Sequence, residues 1–322
     1  MNEFAARTVD FTKIPVIDMA QPLPALGAAI DQAATQVGFF YIKGHGVPEA
    51  TVANAFAAAK TFFHAPQAVK DSVAVNERHR GWLKPGGAKM DGAKKPDLKE
   101  SFIFGLELPE TDPDVLEGKP LMGPNQWPPA LPAFRPAMQS YYDAVLDCGQ
   151  RLLRGFATAL ALPPEHFAAA YAKPLARGTA IFYPPQAPDT NEAQFGVSAH
   201  SDYGCITILA QDSTGGLQVR NRAGEWIAAP PIPNTFVINI GDLMARWTND
   251  RYVSTLHRVV NLSGRERQSI ATFYDPHFDT PIVAIPSCVA PGTAPLYPPT
   301  TCGEHIVGRF NRSFAYRTKP AA

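Results

Sequence analysis

An excess of charge of either sign is missing from this chain. Its 322 residues carry 29 Lys and Arg against 29 Asp and Glu, so the formal net charge is zero. Broad binding to nucleic acid or to an anionic membrane draws on a basic excess, and neither partner is expected. Long apolar runs are also missing. None approaches the roughly eighteen residues of a spanning helix, so no membrane span is expected. Cysteine is sparse: Cys148, Cys205, Cys288 and Cys302 are scattered and form no C-x-x-C. That pattern excludes a disulfide scaffold and a zinc ribbon, and it points to a reducing compartment, the cytoplasm. Residues 1–10 are polar and do not read as a secretory leader. There is no internal repeat and no low-complexity tract, and nothing in the sequence names an oligomeric partner. Hydrophobic residues at 45% against 18% charged exclude a disordered chain.

Proline, by contrast, is plentiful. The 32 residues are about twice the usual share, and 24 Gly accompany them. Such a composition favours short strands, turns and ordered loops over a helix bundle.

The chain reads as one unit over 1–322, with an N-terminal helical and strand region over 1–130 packing on a β core over 174–285. A short strand is expected at 14–18 and a helix over 24–36. Residues 38–46 (GFFYIKGHG) read as a strand closed by a glycine turn. Helix 49–63 would place Val52, Phe56, Ala59 and Phe63 on one face and end before Pro66. Residues 80–87 read as loop, with lysines behind them, and 108–132 as Pro-rich connection. A long helix over 136–162 repeats apolar residues at Met138, Tyr142, Val145, Gly149, Leu152, Phe156 and Ala159. Short β runs succeed it at 179–183, 205–210, 217–220, 226–228, 235–240, 256–260 and 269–274. Their spacing is that of an antiparallel sandwich or barrel, with Trp226 and Phe236 as packing residues.

Among eight histidines, His200 stands out for its context, Ser198-Ala199-His200-Ser201-Asp202-Tyr203-Gly204. On extended backbone, residues i and i+2 point the same way, so His200 and Asp202 present an imidazole and a carboxylate to one point. His257 lies on another expected strand. Two imidazoles and a carboxylate on one face of an octahedron leave three positions open, which suits non-haem Fe(II) chemistry with O2. Zinc accepts the same ligands. His45 and His64 close N-terminal elements and read as structural or surface groups, and Asp242 reads as a turn residue.

Ten residues after His257, Arg267 and Ser269 again share one side of a strand. A planar fork of donors beside a hydroxyl suits a terminal carboxylate. An Arg facing a barrel interior without an anion would be costly.

Taken together, His200-x-Asp202, His257 and Arg267-x-Ser269 resemble the iron(II)- and 2-oxoglutarate-dependent oxygenases of the isopenicillin N synthase-like family. The resemblance runs along nearly the whole chain: residues 38–46, 182–185 (FYPP), 215–219 (GGLQV), 239–242 (NIGD) and 247–252 (WTNDRY) match in order. It implies a mainly β protein with flanking helices, built on a double-stranded β-helix (jelly-roll) core. It implies Fe(II) held by His200, Asp202 and His257. It also implies 2-oxoglutarate with its far carboxylate on Arg267 and Ser269, with Tyr183 adding a hydrogen bond. O2 would be consumed, succinate and CO2 released, and a small-molecule substrate hydroxylated or otherwise oxidised. Some relatives carry Asn where this chain has Ile181. Halogenating relatives lose the carboxylate that Asp202 retains, and the tail lacks the Gln of isopenicillin N synthase itself. An oxidase or ethylene-forming-like enzyme on the same scaffold is the alternative. A non-catalytic cupin-like binding module would be expected to lack part of the ligand set, which is complete here.

For substrate contacts, the resemblance brings the loop holding Arg80 and Trp82 to the mouth above the iron, along with Tyr203 and Phe273. Lys84, Lys89, Lys94, Lys95 and Lys99 would steer an anionic substrate or, as a solvated loop balanced by Asp91, Asp97 and Glu100, do nothing of the kind.

Overall fold

The computed structural model describes residues 13–87, 97–185, 196–261 and 263–313. The first half contains β1 (Val16–Asp18), α1 (Leu23–Gln36), β2 (Phe39–Lys43), α2 (Glu49–Phe63), α3 (Gln67–Asp71), β3 (Gly81–Leu83), β4 (Glu100–Gly105), α4 (Pro113–Leu116) and α5 (Phe134–Ala159). Strands dominate the second half: β5 (Arg177–Tyr183), β6 (Val197–His200), β7 (Ile206–Gln211), β8 (Leu217–Arg220), β9 (Trp226–Ala228) and β10 (Phe236–Ile240). After these come α6 (Asp242–Trp247), β11 (His257–Val259), β12 (Arg267–Tyr274), β13 (Pro281–Ile282), β14 (Thr300–Thr301) and α7 (Cys302–Ser313).

Eight strands form one sheet in the order β1-β2-β10-β7-β12-β5-β4-β3, and four form a second, β6-β11-β8-β9. Side-chain alternation explains the layering. Phe40 and Ile42 of β2, Ile238 of β10 and Ile270 of β12 belong to the core shared with α1, α2 and α5. Their neighbours Phe39, Tyr41, Val237 and Ala271 face the other way and join Val197, Leu217, Val219 and Val259 of the smaller sheet. The large sheet is therefore helix-covered behind and sandwiched in front, a jelly-roll core with flanking helices. Helix α5 lies close against β12 because Gly149 has no side chain; a Cβ there would stand 2.6 Å from Tyr274.

The N-terminal region does more than pack on the core. Strands β1 to β4 all belong to the large sheet, so residue 130 marks no break in it. Residues 80–87, expected as loop, contain β3, which pairs with β4: Trp82 lies opposite Phe102. All six residues of β4 are buried, so it lacks the alternation that would have marked it. On α2 the buried stripe is Ala55, Ala59, Phe62 and Phe63, with Val52 and Phe56 partly buried beside it. Helices α6 and α7 had no counterpart in the sequence reading. Asp242, read as a turn residue, is the first residue of α6.

Candidate functional site

His257 on β11 is the direct cross-strand partner of His200 on β6. The ring centroids stand 4.2 Å apart. Asp202, just past the end of β6, brings Oδ1 to 3.6 Å from His200 Nε2 and 3.7 Å from His257 Nε2. One atom from each of these three residues lies within 4.8 Å of the others, the spacing of donors around one ion.

The remaining atoms of the triad are tied down. His200 Nδ1 donates to the Ser198 carbonyl at 2.8 Å and His257 Nδ1 to the Thr255 carbonyl at 3.2 Å, so both Nε2 lone pairs face the common point. Oδ2 of Asp202 accepts from Asn239 Nδ2 at 2.7 Å and from the Thr207 hydroxyl, leaving Oδ1 for the ion. Phe39 meets the His257 ring edge-on at 5.1 Å. Burial works against the Asp202 charge, but His257, His200 and the Thr207 bond outweigh it and hold the carboxyl below its ordinary range. Burial, reinforced by His200, pushes His257 down to about 4. An anionic carboxylate beside a neutral imidazole is the state that binds metal.

The triad opens into a cavity lined by both sheets. Arg267, wholly buried, is in its wall, and so are Ser269 and Tyr183. Arg267 Nε donates to the Gly215 carbonyl at 2.6 Å and Nη1 to Ser269 Oγ at 3.3 Å. Its Nη2 is buried with no hydrogen-bond partner among the described residues. An unpaired, desolvated guanidinium nitrogen beside a hydroxyl is a seat for a carboxylate.

The family described as the 2OG-Fe(II) oxygenase superfamily matches residues 165–276, and the one described as non-haem dioxygenase in morphine synthesis N-terminal matches 14–130. The 2-oxoglutarate-Fe(II) type oxidoreductase hxnY of Emericella nidulans is 34% identical, covering 94% of this chain and 91% of that protein. The chain belongs to the 2OG-Fe(II) oxygenase superfamily. A full-length Neurospora crassa protein, crystallised in complex with alpha-KG, is similar, with a TM-score of 0.83 at 30% identity over 94% of this chain and 98% of that one. JOX2, solved in complex with 2OG, Fe and JA, has a TM-score of 0.78 at 29% identity over 98% of this chain and 90% of that one. The protein is thus an oxygenase using Fe(II), 2-oxoglutarate and O2 on a small molecule.

Within this oxygenase, Tyr203 and Phe273 line the cavity, whereas Arg80 and Trp82 do not. Arg80 is instead a buried tie between loops, donating to the carbonyls of Arg78, His79 and Leu121. The Trp82 indole N–H donates to Glu100 Oε2 at 2.6 Å, and Lys70 stands 5.3 Å from its ring. Both side chains are spent on holding β3, and the neighbouring His79 and Leu83 reach the cavity in their place. Of the lysine cluster, Lys89, Lys94 and Lys95 lie outside the described residues and Lys84 is exposed. Lys99 is no solvated loop residue: it lines the cavity, 3.2 Å from the buried Asp97 carboxylate.

Sequence reasoning missed Asn239 and Thr207, the partners of Asp202. The i+2 pairing of extended backbone held no signal for them, because each comes from another strand. It also missed α7, which supplies Phe310 to the cavity. That helix buries Cys302, Ile306, Arg309, Phe310 and Ser313, a helical spacing legible in principle. Arg309 Nη2 is bound to Asp242 Oδ2, and the hydroxyls of Tyr203 and Ser313 meet at 2.5 Å.

Asp114, His277 and Asp279 also lie close enough to share an ion. Lys119 and Lys173 already bind Asp114 there, and Lys119 also binds Asp279. The lysines supply the positive charge an ion would bring.

Proposed function

We propose that His200 Nε2, Asp202 Oδ1 and His257 Nε2 hold Fe(II), and that Arg267 and Ser269 receive the far carboxylate of 2-oxoglutarate. The observation that carries this reading is the partnerless Nη2 of buried Arg267, in the wall of the same cavity as the three converging donors. When bound, iron and 2-oxoglutarate supply the oxidising chemistry, in which O2 is consumed, succinate and CO2 leave, and a substrate C–H bond is hydroxylated. The chain's own residues orient the participants. The Ser198 and Thr255 carbonyls fix the imidazole tautomers, Asn239 and Thr207 fix the carboxylate, and Tyr183 stacks on Arg267 and holds its fork in place. Tyr203 and Phe273 form substrate walls. All four cysteines are free, which suits a reducing compartment such as the cytoplasm.

The test is anaerobic titration of the Fe(II) protein with 2-oxoglutarate, followed by admission of O2 and measurement of succinate. A metal-to-ligand charge-transfer band and stoichiometric succinate are expected. Iron binding without either result would overturn the co-substrate assignment.

A further inference from the structure

Arg177 opens β5 and lines the cavity, 3% exposed. Its guanidinium carbon stands 4.6 Å from the Phe310 ring and 5.3 Å from the Phe273 ring. Nη2 donates to Asp275 Oδ2 at 2.9 Å, and Asp275, fully buried, also accepts the Cys205 N–H at 2.7 Å. Nε of Arg177 is buried and has no hydrogen-bond partner among the described residues. A buried donor left unmet is costly, and an acceptor on a ligand would relieve that cost.

The charge around this donor is already balanced. Arg177 is matched by Asp275 and Lys99 by Asp97. Arg267 is the remaining lysine or arginine in the wall among the described residues, and the function proposed above assigns it to 2-oxoglutarate. An anionic substrate would carry an unmatched charge into a desolvated space, whereas a neutral oxygen meets the Nε–H without that cost. Tyr203, Phe273 and Phe310 line the same cavity, with Leu83 and Ile103 as aliphatic neighbours, and the three rings suit a flat body.

The structure assigns to Arg177 the role of specificity-determining residue: it donates to a carbonyl oxygen of an uncharged, flat, ring-bearing substrate. Asp275 is the positioning residue, fixing the guanidinium and cancelling its charge. This inference rests on the oxygenase reading of the cavity given above.

The experiment uses matched neutral and acidic probes: benzamide and benzoate, nicotinamide and nicotinate, thymine and orotate. Each is titrated calorimetrically into the anaerobic protein loaded with Fe(II) and 2-oxoglutarate. In the wild-type protein at least one neutral probe should bind tenfold or more tightly than its acid, a comparison that needs no variant to fold. Arg177→Gln should weaken that neutral probe at least tenfold and leave the 2-oxoglutarate dissociation constant unchanged. Asp275→Asn, which leaves the guanidinium charge unmatched, should move the acid-to-neutral ratio at least tenfold towards the acid. Tighter binding of the acids by wild type, absence of binding by every neutral probe, or neutral binding unchanged in Arg177→Gln would each overturn the proposal. Failure of 2-oxoglutarate itself to bind would instead bring down the reading on which it rests.

Discussion

Arg267 and Tyr183 are direct partners across the β12–β5 ladder, and the guanidinium carbon lies 4.6 Å from the centre of the phenol ring. The sequence reading gave Tyr183 a hydrogen bond to the co-substrate. In the structure its ring stacks on the arginine, a contact that holds the fork in one orientation. A buried cation–π contact of this kind contributes about 0.5–2 kcal/mol. Tyr183→Phe should therefore keep 2-oxoglutarate affinity within about threefold, because the ring remains. Tyr183→Ala should weaken it by roughly 2- to 30-fold. Titration of the anaerobic Fe(II) protein through its charge-transfer band measures both, and equal losses in the two variants would restore the hydroxyl as the working group.

Arg267→Ala should be far more damaging. Truncating one partner of a buried charge pair costs about 2–5 kcal/mol, roughly 30- to several-thousand-fold in affinity. Arg267→Lys should fall short of wild type as well, since an ammonium cannot reproduce the planar fork. Iron affinity, measured separately, should not change. An unaltered 2-oxoglutarate constant in Arg267→Ala would mean another cation holds the co-substrate.

Asp202→Ala should abolish succinate production while shifting the melting temperature of the metal-free protein little. Asn239→Ala and Thr207→Val leave all three donors in place but free Oδ2 to swing. Such supporting bonds are worth about 10- to 100-fold in metal affinity. Calorimetric titration with Fe(II) under nitrogen distinguishes the three variants, and wild-type affinity in Asn239→Ala would show that its bond to Asp202 is dispensable.

His305 on α7 ties stability to pH. Its Nε2 is buried without a hydrogen-bond partner among the described residues, and burial together with Arg309 and Arg246 pushes it down to about 4. The folded state therefore binds fewer protons than the unfolded chain, whose histidines titrate near 6.5. Stability is complete above about pH 6.5 and is lost progressively as pH falls from there through about 4, by at most roughly 1.4 kcal/mol per unit. Thermal melts of wild type and His305→Gln between pH 4 and 7 should diverge in slope, the variant being flatter. Parallel curves would remove His305 from the account.

How far the chain could be read in advance depended on whether chemistry or packing marked a residue. His200, Asp202, Arg267 and Ser269 announce themselves because extended backbone repeats every two residues and few other roles need those side chains so spaced. Helix α5 was visible from its apolar period, within two or three residues at each end. Strand β4 was not, because a strand buried on both faces carries no alternation. Resemblance alone brings Arg80 and Trp82 towards the cavity, yet the turn before β3 gives that place to His79. Positive φ, 59° at His79 and 105° at Gly81, sets that turn, and no periodicity reports it. Lys99 reads in the sequence as part of a charged loop, and only the pairing of β4 with β5 shows that its chain continues into a sheet.

Along β12 the side chains that face the cavity are Arg267, Ser269, Ala271 and Phe273, every second residue. At about 3.4 Å per residue the strand sets the first and last of these roughly 20 Å apart. Those in between, Gln268, Ile270 and Thr272, face away from it. The strand thus works as a ruler whose graduations are two residues long. A slip of the whole strand by a single residue would exchange the entire set for its opposite, presenting glutamine, isoleucine and threonine where the arginine, serine and phenylalanine had been. Changes in reach between the two ends of this cavity are therefore available only in even steps or by substitution in place, and a library that varies substrate preference should randomise Ala271 and Phe273 without altering the length of β12.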